Sequence, residues 1–546
     1  MLQRINLILI LFVLLCDNLI NPRQIFASDN IITVYNNQEI GTVNKMLYGD
    51  NVLGYDPYTY ESWGGTPDAA STFVGFKDFG AGIWNSGSTG VKGVVPTVIN
   101  LAKGVGSSVW RFPGGTGSIC YDWRNAIGPG RTHFLFGIDE WLTSCNAAGT
   151  IPLFTLAYFS GSIRSGQTHT PVPASLSANL VEYLNSPNDG NHPWAATRAA
   201  NGHPAPYGVK YFEMGNEIIA YDTPTNYANN YLSHYNAIKA VDPTAQVGLV
   251  VWENDYKQWN NTVLPIVKGN LDFIIFHVAP SYTNQQTPPT TDSATTVFSN
   301  QLAEPIVTNE RLWQTVLPKV QSYAGKSVPI AATEYDSGQF GTQTPYFYSL
   351  GTALINAELL RLFMKPQNNV FMATNWALSN CFGGMTMSEV NMEYIYHNYS
   401  TPPVYFKRPN YYIRQLYHDH FGDTLLAAGV TSATYTYTST IWPYTPTAIP
   451  YLTVNASKSA DGNKLYLMVV NKDMFNSRAA SISLSNFVPS SSQTAYILNG
   501  PSVDATNETS GNRTNVNITQ QPFTINSQPF YFTFPAHSVT AIELTR

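Results

Sequence analysis

Two glutamates stand just beyond short apolar runs, Glu217 at the end of Tyr-Phe-Glu-Met-Gly-Asn-Glu and Glu334 after Val-Pro-Ile-Ala-Ala-Thr. Carboxylates at the ends of two buried strands can flank a single bond. Hydrolysis of a glycosidic bond needs that arrangement, because one carboxyl protonates the leaving oxygen while the other attacks the sugar or activates water. Residues able to serve such a pair recur at the ends of neighbouring runs. Arg111 is a cation that would keep one carboxylate ionised, with a buried ion pair as its purely structural alternative. Asn216 can donate its amide to the hydroxyl beside the reacting carbon. His277 either orients one carboxylate or is a satisfied core histidine. Trp252 and Trp376 offer indole faces on which sugar rings can stack, whereas Trp84 and Trp123 read equally well as core.

These residues must be positioned by strands, and eight short apolar or β-branched runs supply them: 46–51, 108–112, 151–157, 209–214, 246–252, 273–278, 328–333 and 370–376. Helical periodicity separates many of them, at 96–105, 138–148, 175–184, 227–241 and 346–364. Eight β-then-α units predict a (β/α)8 TIM barrel over 46–420, in which reactive residues sit at the carboxyl ends of the strands. Glu217 then closes strand four and Glu334 strand seven. From 421 to 546 alternating runs rich in Ser, Thr, Asn and Val predict an all-β sandwich of jelly-roll type. The alternating segment within 28–45 is expected to add a strand to it.

Composition fits a polysaccharide-facing protein. Charged residues make up 12% of the 546, aromatics 13%, and the net charge is -6. Nucleic acid would call for a basic stripe, which is absent, so oligo- or polysaccharide is the expected partner. Arg4, the apolar run 5–15 and Ala27 form the pattern of an export signal over 1–27, which predicts a secreted protein, extracellular or periplasmic. That run is shorter than the roughly 20 residues of a membrane span. Cys16 raises a lipoprotein anchor as the rival, but Leu15 stands where such a signal places a small side chain. Of the remaining thiols, Cys120 and Cys145 either pair in an oxidising compartment or, as a blander reading, Cys145 is a buried helix thiol. The histidines show no metal-ligand spacing and no glycine loop precedes a helix directly, so neither metal nor cofactor is expected.

The strings Arg111-Phe-Pro-Gly-Gly, Tyr121-Asp-Trp, Gly128-Pro, Phe136-Gly-Ile-Asp-Glu-Trp and Leu180-Val-Glu-Tyr-Leu-Asn, followed by Arg198, Asn201-Gly-His, Tyr207-Gly-Val-Lys-Tyr and Gly215-Asn-Glu217, resemble the α-L-arabinofuranosidases of glycoside hydrolase family 51. The resemblance covers about 48–421 and, more weakly, the sandwich. It implies a retaining glycosidase with Glu217 as general acid and base and Glu334 as nucleophile. The chemistry agrees. An acid must hold its proton, so Glu217 should have a raised pKa, while Arg111 should hold that of Glu334 low. The sugar-reading positions depart from the family. Arabinofuranosidases of this kind carry a Glu after strand one and an Asn after the paired glycines, where this chain reads Asp50-Asn-Val-Leu-Gly and Gly114-Gly-Thr-Gly. The Tyr expected two positions after His277 is Ala279, with Tyr282 as a substitute. An endo-acting β-glucanase or xylanase, or another glycosidase of the same clan, therefore stays open. From another class, an inactive barrel serving as a carbohydrate-binding or matrix protein is the alternative, against which the retention of both glutamates argues. The sequence carries no signal for an oligomeric state.

Overall fold

The computed structural model describes residues 30–52, 78–79, 83–85, 91–131, 136–161, 169–252, 256–278, 292–336, 348–380, 390–393, 404–439, 445–509 and 511–546. The export signal, Cys16, Ala279 and Tyr282 lie outside them. Eight parallel strands close a barrel in chain order: Gly49–Asn51, Val109–Phe112, Ile151–Leu156, Tyr211–Met214, Gln246–Val250, Phe273–Val278, Ile330–Tyr335 and Val370–Asn375. The last strand pairs with the first through Thr374 with Gly49 and Asn375 with Asp50. Parallel strands covered on both faces read as continuous apolar runs, and Phe-Ile-Ile-Phe-His-Val of strand six is buried at every position but its histidine.

The strand limits differ in detail from the apolar runs. Strand one is only three residues, because Lys45–Tyr48 turns as a 3-10 helix before it, with the Asn44 side chain accepting from the Met46 amide. Strand seven begins and ends two residues later than its run, which puts Glu334 inside the strand. Helices Pro96–Gly104, Ile138–Ala148, Ala174–Asn185, Pro224–Val241 and Leu350–Phe363 match the periodic stretches closely. Cys145 is a buried helix residue, and its thiol and that of Cys120 are both unpaired.

Nine further strands form one hydrogen-bonded sheet around a second apolar core. Ile31–Thr42 lies within it, antiparallel to Thr424–Thr431 and parallel to Arg478–Ser485. Alternation sets its faces: Phe530, Phe532 and Phe534 are buried, while Tyr531 between them is exposed.

Helix Leu350–Phe363 is buried along its whole length, because the barrel covers one side and strands Lys464–Asn471 and Ser538–Thr545 reach the other. That burial traps charge. Glu358 accepts from Arg361 at 2.9 Å and from Lys472 at 3.5 Å, and from the Thr453 hydroxyl as well. Burial works to raise the Glu358 pKa, but Arg361 and Lys472 outweigh it and hold it down at about 2. Its stabilising contribution is therefore complete above the ordinary carboxyl range of ~4.3 and is lost as pH falls towards that lower value. Glu358→Ala would leave Arg361 and Lys472 buried with no carboxylate between them, and should cost about 3–5 kcal/mol of stability. Chemical denaturation checks this; an unmoved midpoint would show that the cluster does not hold the helix in place.

Candidate active site

The site is assembled around Arg111, whose side chain is fully buried. Its Nε donates to Glu213 Oε1, one Nη to Asn51 Oδ1 at 3.0 Å and Glu334 Oε1 at 2.6 Å, and the other Nη to Asn216 Oδ1 at 2.8 Å. Those acceptors come from strands one, four and seven and from the loop after strand four. A guanidinium removed from water needs such partners on every edge. Backbone register brings them there. Asn51 is the strand partner of Arg111, and Thr155 is that of Glu213, to which its hydroxyl donates at 2.6 Å. Gly114, at φ 63°, follows strand two, and a Cβ there would stand 3.1 Å from Asn51 Oδ1 and 3.2 Å from an Arg111 Nη. A larger residue would be strained and would press on the guanidinium.

Two irregularities in pairing aim the remaining groups. A register shift between Phe276 and His277 sets His277 opposite Glu334, and another between Ala332 and Tyr335 frees Glu334 from regular pairing with strand eight. Such bulges redirect side chains at barrel rims. Glu217 lies beyond strand four, in the left-handed region at φ 46° and ψ 36°, at the head of the 3-10 turn Ile218–Ala220. Holding a non-glycine residue there costs on the order of 1 kcal/mol, and such strain clusters at functional sites. His277 Nδ1 lies 3.1 Å from Glu217 Oε1 and 3.5 Å from Glu334 Oε2. One oxygen from each glutamate and one imidazole nitrogen fall within 4.8 Å of one another. By type those atoms suit a cation, but Arg111 already occupies a Glu334 oxygen and opposes a further positive charge.

Two of the predicted pKa directions are reversed. Burial pushes the Glu334 carboxyl up, and His277 and Arg111 pull it back without cancelling the rise. Burial also acts to raise Glu217, but its bond to His277 and the charges of His277 and Arg111 outweigh it, so the net shift is downward. The two differ because Glu217 is hydrogen-bonded to His277 whereas Glu334 also feels the negative charge of Glu217, and the Glu217 side chain is the more exposed, 45% against 19%. Burial lowers the His277 pKa, yet Glu334 and Glu217 together raise it above its ordinary value.

Of the residues singled out in the sequence, Glu217, Glu334, Arg111, Asn216 and His277 converge here. Trp252 and Trp376 follow strands five and eight, half-buried, with the Trp252 amide donating to Asn260 Oδ1 at 2.9 Å and that of Trp376 to the Tyr335 carbonyl at 3.2 Å. Trp123 packs against Tyr183 and Trp194 in the core. Asn51, Thr155 and Glu213 join the site without having been predicted. Glu213 did carry a signal, since a charge in the middle of an apolar strand run must find a partner.

Residues 101–288 match the model of the alpha-L-arabinofuranosidase 1 domain, and residues 332–538 that of the alpha-L-arabinofuranosidase C-terminal domain. The chain belongs to the α-L-arabinofuranosidases of glycoside hydrolase family 51. Among similar sequences, a probable alpha-L-arabinofuranosidase C of Aspergillus clavatus is 24% identical over 484 residues, which is 82% of this chain and 87% of that one. Among solved structures, an arabinose complex of the Thermotoga maritima alpha-L-arabinofuranosidase aligns over 95% of this chain and 100% of its own, at 22% identity and a TM-score of 0.73. A family 51 α-L-arabinofuranosidase from Bifidobacterium longum aligns over 95% and 100%, at 19% identity and a TM-score of 0.75. These likenesses establish a barrel and β-domain of the family 51 type, and family 51 is a retaining family of glycoside hydrolases.

The electrostatics generate a titration prediction. His277 should remain protonated above the usual ~6.5, so the stability it contributes is complete below that pH and is lost as pH rises through its higher folded value. NMR of the histidine ring, assigned by its loss in His277→Gln, should show the raised midpoint, and Glu217→Gln should move it down. A midpoint at or below the ordinary value would contradict the ion-pair geometry.

Proposed function

We propose that this glycoside hydrolase is a secreted retaining α-L-arabinofuranosidase in which Glu334 is the nucleophile and Glu217 the general acid and base. The observation that carries the reading is the closeness of the two carboxylates, with oxygens within 4.8 Å of one another. Retaining enzymes hold their carboxyls about 5–5.5 Å apart so that one can attack directly, whereas inversion needs about 6.5–9.5 Å to admit a water. Export is inferred from the amino-terminal pattern alone.

The charges describe how the cycle runs. In the free site the proton sits on His277, between two carboxylates. A sugar bound over Glu217 removes its water, which raises its pKa and favours the transfer of a proton to it from the imidazolium 3.1 Å away. Glu334 Oε then attacks the anomeric carbon as Glu217 gives that proton to the departing oxygen. Glycosylation cancels the negative charge of Glu334. The pKa of Glu217 falls again, and it takes a proton from the water that releases the sugar. Asn216 is oriented by Arg111, which engages its Oδ1 and leaves its amide hydrogens for the sugar hydroxyl beside the reacting carbon.

Arabinofuranose is the substrate that family membership favours. Asn51, the last residue of strand one and near the position where these enzymes carry a Glu, is not available for that task in the same way. Its Oδ1 accepts from Arg111 and its Nδ2 donates to the carbonyls of Thr333 at 3.0 Å and Asn375 at 3.1 Å. Recognition of the furanose hydroxyls must therefore use other groups.

Acid catalysis contributes typically ~10²–10⁴ in rate and matters least for a good leaving group. Glu217→Ala should thus retain more activity on an aryl arabinofuranoside than on arabinan oligosaccharides, with azide restoring turnover. Glu334→Ala should lose both activities, with azide giving at most an inverted product. The opposite pattern would exchange the two roles, and preferential turnover of xylosides or glucosides by the unaltered enzyme would replace the substrate.

A further inference from the structure

Arg111 presents its two Nη groups to the site, but its Nε edge faces away from it, towards Glu213 on strand four. Glu213 is completely buried, and its Oε1 receives both the guanidinium and the Thr155 hydroxyl at 2.6 Å. Its Oε2 has no hydrogen-bond partner among the described residues. A carboxylate in that position is costly unless it is matched by a cation. The charges therefore form an alternating row from the barrel interior to its mouth: Glu213, Arg111, Glu334, His277, Glu217.

We propose that Glu213 is a positioning residue for catalysis, holding the guanidinium by its Nε edge so that the two Nη groups meet Glu334 and Asn216, and absorbing part of the positive charge that Glu334 would otherwise feel. The inference rests on the assignment of Glu334 as nucleophile. Were Arg111 balanced by Glu334 alone, the nucleophile would be over-stabilised as an anion and less ready to form a bond. Sharing the guanidinium between two carboxylates leaves Glu334 charged but reactive. Within the row His277 comes from strand six and Glu217 from the loop after strand four; the titratable groups facing it from outside are Tyr227 of helix Pro224–Val241, whose phenol feels Glu213, and Tyr221, whose phenol feels Glu217. Strands one and three contribute the neutral Asn51 and Thr155.

The test is a pH profile of kcat/KM for Glu213→Gln and Glu213→Asp, with thermal melts as folding controls. Glu213→Gln keeps the shape and an acceptor for Nε while removing the charge. With the full charge of Arg111 bearing on Glu334, the acid limb should move down by about one pH unit, and kcat should fall about tenfold or more with KM little changed. Glu213→Asp, which retains the charge, should recover most of the limb position. A folded Glu213→Gln enzyme whose activity falls with an unmoved acid limb would assign Glu213 a structural role only and overturn the proposal, as would full activity. Failure of both variants to fold would do the same. Glu334→Ala, measured in parallel, separates the two levels: if it retains wild-type turnover, the nucleophile assignment fails, whereas its inactivity beside an unaltered Glu213→Gln profile removes only the positioning role.

Discussion

The molecule is organised by the burial of one guanidinium. Arg111 has no exposed surface, and removing a permanent cation from water is tolerable only if acceptors meet it with good geometry. The acceptors found are a carboxylate on each of strands four and seven and an amide oxygen on each of Asn51 and Asn216. That requirement fixes how far strand one must extend, why strand four can carry a glutamate among apolar neighbours, and why the chain after strand two turns through a glycine that leaves room for the head group. The stability of the barrel interior and the orientation of the site are consequently one constraint. Losing either carboxylate would leave charge buried, and the same loss would release the groups around the reacting bond.

Burial also bears on why the carboxyl pKa directions run opposite to those anticipated. The chemical roles suggest a protonated acid beside an ionised nucleophile, and in the free site the shifts run the other way. The difference lies in solvent and in His277. Glu217 is partly open to water and directly bonded to the imidazole, so its anion is favoured, whereas Glu334 is enclosed and pays for desolvation that Arg111 and His277 only partly offset. In the proposed cycle the mobile proton of the free site is held by His277, whose pKa the two carboxylates raise, and covering Glu217 shifts the balance towards that carboxylate.

Much of this was legible in the residues, for identifiable reasons. Parallel strands buried on both faces leave uninterrupted apolar runs, so the eight barrel strands could be placed, and Glu217, Glu334, Arg111, Asn216 and His277 could be recognised as polar groups at their ends. Strand limits were less legible, because they depend on pairing. The run ending at Thr333 does not reveal that hydrogen bonding starts at Ile330 and carries Glu334 into the strand, nor that bulges at Phe276/His277 and after Ala332 turn two side chains towards each other. Helix Glu310–Ala324 was obscured by Pro318 in its interior. Asn51 and Glu213 were missed because their importance comes from a partner 60 and 102 residues away in the chain.

The two glutamates are held in opposite ways, and the contrast suits the roles proposed for them. Glu334 belongs to a strand, with one oxygen tied to a buried arginine and the other facing His277, so its position is set by the barrel itself. A nucleophile benefits from such rigidity, since a displacement of about 1 Å at the reacting atom can cost on the order of 100-fold in rate. Glu217 stands outside the ladder in a left-handed backbone conformation, bonded to the imidazole and open to solvent. The role proposed for Glu217, giving a proton to one oxygen and later taking one from water, needs that access. Strain in its backbone is sustained by the turn Ile218–Ala220, whose residues Ile218 and Ile219 are buried, so the core anchors the turn while leaving the carboxylate exposed. Rigidity at one carboxylate and access at the other thus arise from the same barrel rim, through pairing in one case and release from pairing in the other.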